Sequence, residues 1–287
     1  MFYLSIKTEV AIIVPKLDLA AQTIWEQLKN QSLFKETDER FDNNIVYAYE
    51  KNPNKIKVIH SNKDGVESNH LDLKINAKLY IFASRHRAAS ETPALLIHPT
   101  GNWSEVTLAG RESELSFTSS WAIKYGLQKL LERKEANNLE EFKVDLEVTH
   151  HGPTELKTPL IFMELGSSET YWKNEKGAIT VGEAILETAE GFVDRAPFTD
   201  QSYIGFGGNH YAYRFYKHLM ENSNVFISHI APKHVLDDIN TKIVQEAFTK
   251  TIEEPVGAFI DKKGARSEQR QKVMEIVGEL EKECIIL

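Results

Sequence analysis

Phe142-Lys143-Val144-Asp145-Leu146-Glu147-Val148, followed by Thr149-His150-His151-Gly152-Pro153-Thr154 and then Pro159-Leu160-Ile161-Phe162-Met163-Glu164-Leu165, is the stretch on which the fold turns. The first segment alternates polar and apolar, as a half-buried strand does, and the last is a short apolar run of the kind buried strands show. Between them Gly152-Pro153 makes a stiff, sharp turn. Neighbouring side chains on a strand point to opposite faces. His150 and His151 therefore share one pocket only where the chain bends, and this turn offers a bend. In a His pair taken alone, the commoner arrangement is one ring buried and satisfied, the other solvated.

Working outward, the chain alternates strand-like and helix-like segments. Upstream, 9–14 reads as a buried strand closed by Pro15, and 17–29 as an amphipathic helix with Leu19, Ile24, Trp25 and Leu28 on its apolar stripe. Segments 45–49 and 56–60 read as strands joined by a turn at Asn52-Pro53-Asn54, and 61–70 as polar loop. Strands at 78–83 and 94–97 run into Ser84-Arg85-His86-Arg87 and His98-Pro99-Thr100-Gly101-Asn102, and 119–133 is a helix closed by Asn137-Asn138. Downstream, Thr180-Val181-Gly182-Glu183 has capping-box spacing, which predicts a helix over 180–188. The glycines of Gly205-Phe206-Gly207-Gly208-Asn209-His210 precede a helix with Tyr211, Phe215 and Leu219 on one side; their backbone N–H groups would face an anion. A strand over 224–228 ends at His229, and helices over 241–250 and 267–282 with a last strand at 285–287 close the chain.

This order predicts an α/β fold: a mixed, largely parallel sheet flanked by helices, with room for a second, smaller α/β lobe. No internal repeat and no linker marks a boundary, so residues 1–287 read as a single unit. A hydrophobic content of 41% is ample for a packed core, and no apolar run approaches the roughly 18 residues that cross a bilayer. The first nine residues lack a basic segment followed by a long apolar one, so no signal peptide is expected. One cysteine, Cys284, forms no internal disulfide and suits a reducing cytoplasm, where the protein is placed. The net charge of −8 argues against a surface that coats nucleic acid throughout, while leaving room for a local basic patch. Lys262, Lys263, Arg266, Arg270 and Lys272 form such a cluster, interspersed with Glu268 and Glu275 as on an ordinary solvated helix face.

His86, His98, His150, His151, His210 and His229 each fall at a predicted strand end or helix start, as do Glu164 and Glu169. His60, His70, His218 and His234 do not, and read as surface or core residues. Ligand sites in α/β folds gather at strand ends. Histidines with a carboxylate are the donor set of a catalytic zinc, which keeps one position for water. The chain has no HExxH helix and no CxxC pair, so a metal-free alternative stands beside it, with a histidine base oriented by a carboxylate.

At this point the residues carry a resemblance. Ser84-Arg85-His86-Arg87-Ala88-Ala89-Ser90, His98-Pro99-Thr100-Gly101-Asn102, Thr149-His150-His151-Gly152-Pro153-Thr154, Glu164-Leu165-Gly166-Ser167-Ser168-Glu169 and Gly205-Phe206-Gly207-Gly208-Asn209-His210-Tyr211 resemble, in order and spacing, the signature blocks of the archaeal and plant type of D-aminoacyl-tRNA deacylase. Asn209 stands where many relatives carry a third consecutive glycine. The resemblance implies a phosphorylase/hydrolase-like sheet, some likeness to peptidyl-tRNA hydrolases, zinc dependence, and hydrolysis of the ester joining a D-amino acid to the tRNA 3′ end. On this reading His98, His150, His151 and Glu164 include the metal ligands or the base, with His229 kept in the ligand set. Arg85, His86, Arg87, Thr100, Asn102, Gly207, Gly208, His210, Lys263 and Arg266 would hold the acceptor end of the tRNA, and Trp103, Tyr203 or Phe206 could stack its last base. The expected molecule is a cytoplasmic monomer with no membrane contact and no obligate protein partner. Two rivals remain: a metal-dependent hydrolase or phosphorylase of a small nucleoside or amide, which fits the negative charge, and a non-catalytic RNA-binding module, which has no need of so many histidines.

Overall fold

A computed structural model describes residues 5–287. The reading of the chain's beginning as free of a leader rests in part on residues 1–4, which lie outside the described residues. Twelve strands of four residues or more can be followed in order. They are β1 (Val10–Pro15), β2 (Phe34–Phe41), β3 (Asn44–Tyr49), β4 (Ile56–Ser61), β5 (Leu79–Arg85), β6 (Ala94–His98), β7 (Lys143–Leu146), β8 (Leu160–Gly166), β9 (Gln201–Phe206), β10 (Val225–Ala231), β11 (Gly257–Ile260) and β12 (Glu283–Ile286). The helices are α1 (Leu19–Asn30), α2 (Ser120–Ala136), α3 (Glu169–Trp172), α4 (Glu175–Asp194), α5 (Tyr213–Glu221), α6 (Thr241–Thr249) and α7 (Ser267–Glu279).

The first eight strands form one sheet in the order β7-β6-β8-β5-β1-β4-β3-β2. Its centre is parallel; β8 runs antiparallel to β6, and β2 and β3 make an antiparallel edge. The last four form a wholly parallel sheet, β10-β9-β11-β12, packed with α6 and α7 around its own apolar cluster. The expected mixed, largely parallel sheet flanked by helices is what the chain forms. Among the described residues no helix is long and apolar enough to cross a membrane.

Alternation along the central strands divides their two faces. Ile81, Ala83, Ile97, Ile161, Met163 and Leu165 face α1, α2 and α4 in one core. Tyr80, Phe82, Leu160 and Phe162 point the other way, into a second core closed by Leu71, Ile75 and Leu156. Residues two apart on a strand share a face. Ser84, Glu164 and His98 therefore continue the second face beyond Phe82 and Phe162, and apolar packing gives way there to buried polar groups.

Several boundaries differ from expectation for local reasons. The helix expected over 180–188 begins at Glu175, because the Asn174 side chain accepts a hydrogen bond from Gly177 N. Thr180 lies inside the helix, its hydroxyl donating to Lys176 O. Strand β2 carries mostly polar side chains at the sheet edge, where period-two burial is weak, and β9 was hidden by its proximity to the glycines. Pro15 belongs to β1 rather than ending it. Cys284 sits half-buried on β12, where burial pushes its thiol up to about 11, in keeping with a structural role.

Candidate active site

The turn after β7 brings its two histidines together. His151 takes a left-handed backbone (φ 41°), so the chain bends between the two rings and both face inward. Their ring centroids lie 4.4 Å apart, and His98, at the end of β6, stands 4.2 Å from His150 and 4.9 Å from His151. The turn is braced from outside. Gly101 N donates to His151 O, Gly152 N to Leu108 O, and His151 N to the Thr107 hydroxyl. Gly110, at φ 80°, lies so close that a Cβ there would sit 2.7 Å from the Thr154 methyl and 3.2 Å from Gly152 Cα.

The three imidazoles have the same orientation. Nδ1 of His98, His150 and His151 contacts Pro99 O (3.1 Å), Val148 O (2.8 Å) and Gly152 O (2.6 Å). A carbonyl only accepts, so each Nδ1 carries the proton and each Nε2 keeps a lone pair when the ring is neutral. This is the arrangement that fixes metal-binding histidines, whose second nitrogen is held by a backbone carbonyl or carboxylate. Donor atoms of His98, His150 and His151 lie within 4.8 Å of one another, and so do those of Glu147, His150 and His210, and of His86, Glu147 and Glu164.

Two carboxylates complete the cluster. Glu164, on β8, lies 3.4 Å from His86 Nδ1 and 3.5 Å from His98 Nε2. Burial works against its charge, but His86 and His98 outweigh burial and hold it well below the usual carboxylate range. Burial likewise opposes charge on His86 and His98, and the facing carboxylates leave both raised. His150 is pushed well below its usual range, chiefly by burial and then by His98, His151 and His210; His151 falls to about 4 by burial and the His98 charge. Glu147 was not foreseen. It is fully buried, with Oε1 3.5 Å from His86 Nδ1 and 2.7 Å from His210 Nε2, the latter out of line for a hydrogen bond. Both of its oxygens and His98 Nε2 are buried without a hydrogen-bond partner. Bare buried donors and a bare buried carboxylate are costly unless a cation joins them. The mixed nitrogen and oxygen donor set is the one zinc-class cations take.

The other expected residues divide. His86 and His210 belong to the cluster. Arg85 is tied to Asp64 (2.7 Å) and Leu17 O, while Arg87 reaches the same cleft beside Trp172. Thr100 and Asn102 are buried braces: Thr100 donates to Pro153 O, and Asn102 Nδ2 donates to Ala109 O and Arg111 O. Gly207 N and Gly208 N donate to Ala231 O and Gly264 O, and α5 starts only at Tyr213, so these two amides are not free for an oxyanion or phosphate. His229 lies apart from the cluster. Its Nδ1 meets the Thr149 hydroxyl, its Nε2 meets Ser116 O, and burial lowers its pKa to about 3. Arg266 is paired with Asp237, whereas Lys263 lines an open groove. Tyr203 and Phe206 are buried in the core rather than offered to a base, Trp103 is nearly buried but lines a cleft beside His150, and Glu169 is exposed and pairs with Lys173.

Two clefts open on either side of His150 and His210. One, of about 680 Å³, is lined by Asp18, Asp64, Arg85, His86, Arg87 and Glu164. The other, of about 460 Å³, is lined by Val106, Thr107, Val148, His234 and Val235.

Residues 73–285 match the family model described as D-aminoacyl-tRNA deacylase. Over 281 residues the chain is 34% identical to the D-aminoacyl-tRNA deacylase of Thermococcus onnurineus, covering 96% of this chain and 98% of that one. It is also 34% identical to the D-aminoacyl-tRNA deacylase of Methanosarcina mazei, covering 95% and 90%. A solved structure described as a conserved protein of unknown function superimposes with a TM-score of 0.85 at 24% identity, over 97% of this chain and 95% of that one, and shows the same fold.

Proposed function

The chain belongs to the D-aminoacyl-tRNA deacylase family and hydrolyses the ester that joins a D-amino acid to tRNA, and we propose that the attacking water is held at the His98–His150–His151 cluster with a divalent cation of the zinc class. The observation that supports this is the shared posture of the three rings, each Nδ1 committed to a carbonyl and each Nε2 turned inward. Glu147 and His210 extend the donor set and share His150 with it. What a cation would supply there is acidity, lowering the pKa of a water it holds to about 7.

The remaining chemistry belongs to the chain. His150 and His151 stand neutral at pH 7, so their lone pairs are available without loss of a proton. Glu164, ionised, lies 3.4 Å from His86 Nδ1 and 3.5 Å from His98 Nε2 and holds the two rings by charge. His210, half exposed at the junction of the two clefts, is assigned the transfer of a proton to the departing ribose oxygen. His229 is left out of the ligand set because both its ring nitrogens are engaged.

The test is single-turnover hydrolysis of matched D- and L-tyrosyl-tRNA by untagged protein, after strong chelator and after zinc is restored, with metal content measured. The D form should turn over faster by orders of magnitude, and chelator should abolish what zinc restores. Equal rates for the two enantiomers refute the chiral assignment. Full activity without bound metal removes the cation. Competition by uncharged tRNA separates this enzyme from a small-nucleoside hydrolase, which would ignore it.

A further inference from the structure

The cleft beside His234 does not end at the histidine cluster. It shares His210 and His234 with a groove lined by Lys233 and Arg266, and that groove shares Gly208, Asn209 and Lys233 with another lined by Arg214 and Lys263. A continuous track therefore leads from His150 to the start of α5. Its lining changes along the way. Next to the histidines its walls carry Trp103, Val106, Val148 and Val235, with Glu105 and Asp238 also on the lining; farther out it gains Lys233, Arg214 and Lys263.

We propose that this track receives the 3′ end of the tRNA, with the terminal adenosine in the Val106–His234–Val235 cleft and the phosphodiesters 5′ of it along Lys233, Lys263 and Arg214. The proposal rests on the deacylase reading and adds to it the direction in which the substrate lies. Outward from the ester, the substrate presents a ribose, a flat base and then phosphates. The track presents polar donors, apolar walls with an exposed imidazole, and then cations, in the same order.

Charge selects this side over the other. The chain carries 42 acidic against 34 basic side chains, so an unpaired cationic run is not its default surface. Arg266 is neutralised by Asp237, yet among the described residues Arg214, Lys233 and Lys263 make no ion pair. Asp261 also lines the groove, and its side chain accepts from Lys263 N. The opposite cleft holds four carboxylates, Asp18, Asp64, Glu67 and Glu164, against two arginines, of which Arg85 is committed to Asp64 and Arg87 stands beside Trp172. Phosphates would be repelled there, and that cleft is left for the aminoacyl group. His234, which the sequence pattern alone assigned to surface or core, becomes the group that faces the base.

The experiment measures binding of uncharged tRNA across a salt series, with complete 3′ ends and with the terminal adenosine removed. For R214E/K233E, Kd at low salt should rise at least tenfold. The slope of log Kd against log salt should fall by about 1.4, at roughly 0.7 per single-strand phosphate contact. R214Q/K233Q should move both in the same direction, and it replaces the reversal should that variant fail to fold. Wild-type protein should bind the complete end about tenfold more tightly than the shortened one, and His234→Ala should close that gap. Lys35→Glu, on the far edge strand β2, should change neither quantity. Unchanged affinity and slope in the double variants, or a gap that persists in His234→Ala, overturns the track. Wild-type protein that spares D-tyrosyl-tRNA sinks the hydrolytic reading, while the binding slopes are scored independently of it.

Discussion

Replacing His98 by Asn removes one of three inward lone pairs, together with the buried ring's packing against His150, His151 and Phe162. His98 Nε2 has no hydrogen-bond partner, so the polar losses without metal are the Nδ1 bond to Pro99 O and the 3.5 Å contact with Glu164. Those losses amount to about 1–3 kcal/mol. The loss with metal is of another kind. A ligand that binds only the folded chain stabilises it by about 2.7 kcal/mol at 100 times its Kd. With an unfolding entropy of roughly 2.1 cal/mol/K per residue, a chain of 287 residues has about 0.6 kcal/mol/K, so the wild-type zinc increment is about 4–5 °C in Tm. If losing one imidazole weakens the site about 100-fold, the same zinc concentration sits near Kd and the increment drops to about 0.4 kcal/mol, under 1 °C. The assay is thermal unfolding of both proteins, each with strong chelator and each with zinc, and the quantity read is the difference of differences. A variant that keeps the full zinc increment refutes the assignment of His98. A wild-type protein with no increment refutes the site.

His229 gives the contrasting case. Its folded pKa is lowered to about 3 from 6.5, so between those values the unfolded chain binds the extra proton and stability falls as pH falls, by about 1.4 kcal/mol per unit. In His229→Gln, stability measured by denaturant unfolding from pH 7 to pH 4 should fall less steeply than in the wild type by about 1.4 kcal/mol per unit, the remaining slope coming from His60, His150 and His151, while bound metal is unchanged; a slope equal to the wild type's would place the titration elsewhere. Gly110→Ala should cost on the order of 1–2 kcal/mol and lower kcat, because φ 80° is unfavourable for alanine and the new Cβ would meet Thr154 and Gly152. Full activity with unchanged stability would mean that the loop does not brace the histidine turn.

What could be read from the chain and what could not follow from how far each signal reaches. Strands β1, β5, β6 and β8 are largely apolar and buried along almost their whole length, and the sequence pattern located each within one or two residues. β2 was missed because its polar side chains sit at an edge with no buried face to enforce alternation. The same logic accounts for Glu147. In 142–148 it occupies the polar phase of a period-two pattern, which reads as solvent-facing. It is buried because the chain after β9 returns across it, with Tyr211 bridging to Glu147 and His210 O accepting from Val148 N beside it. A contact between residues 147 and 211 leaves no trace in local periodicity. The glycine loop failed in the opposite sense. Gly207 and Gly208 do take positive φ, as a tight turn requires, but their amides tie β9 to β10 and to Gly264 instead of facing a ligand.

His150 and His210 stand where the loops of the two sheets meet. The histidine turn follows β7 of the large sheet, while His210 follows β9 of the small one, and the two are tied by Val148 N donating to His210 O and Ala212 N donating to Leu146 O. One wall of that junction opens on carboxylates and the other on apolar and cationic side chains. An ester lying across it would have its amino acid and its nucleotide in chemically distinct compartments, with the scissile carbon at the boundary. Discrimination against an L side chain then reduces to which way the α-substituent leaves that boundary. Either it enters the cleft beside His86 and Arg87, or it meets the Thr107–Leu108 segment that braces the turn.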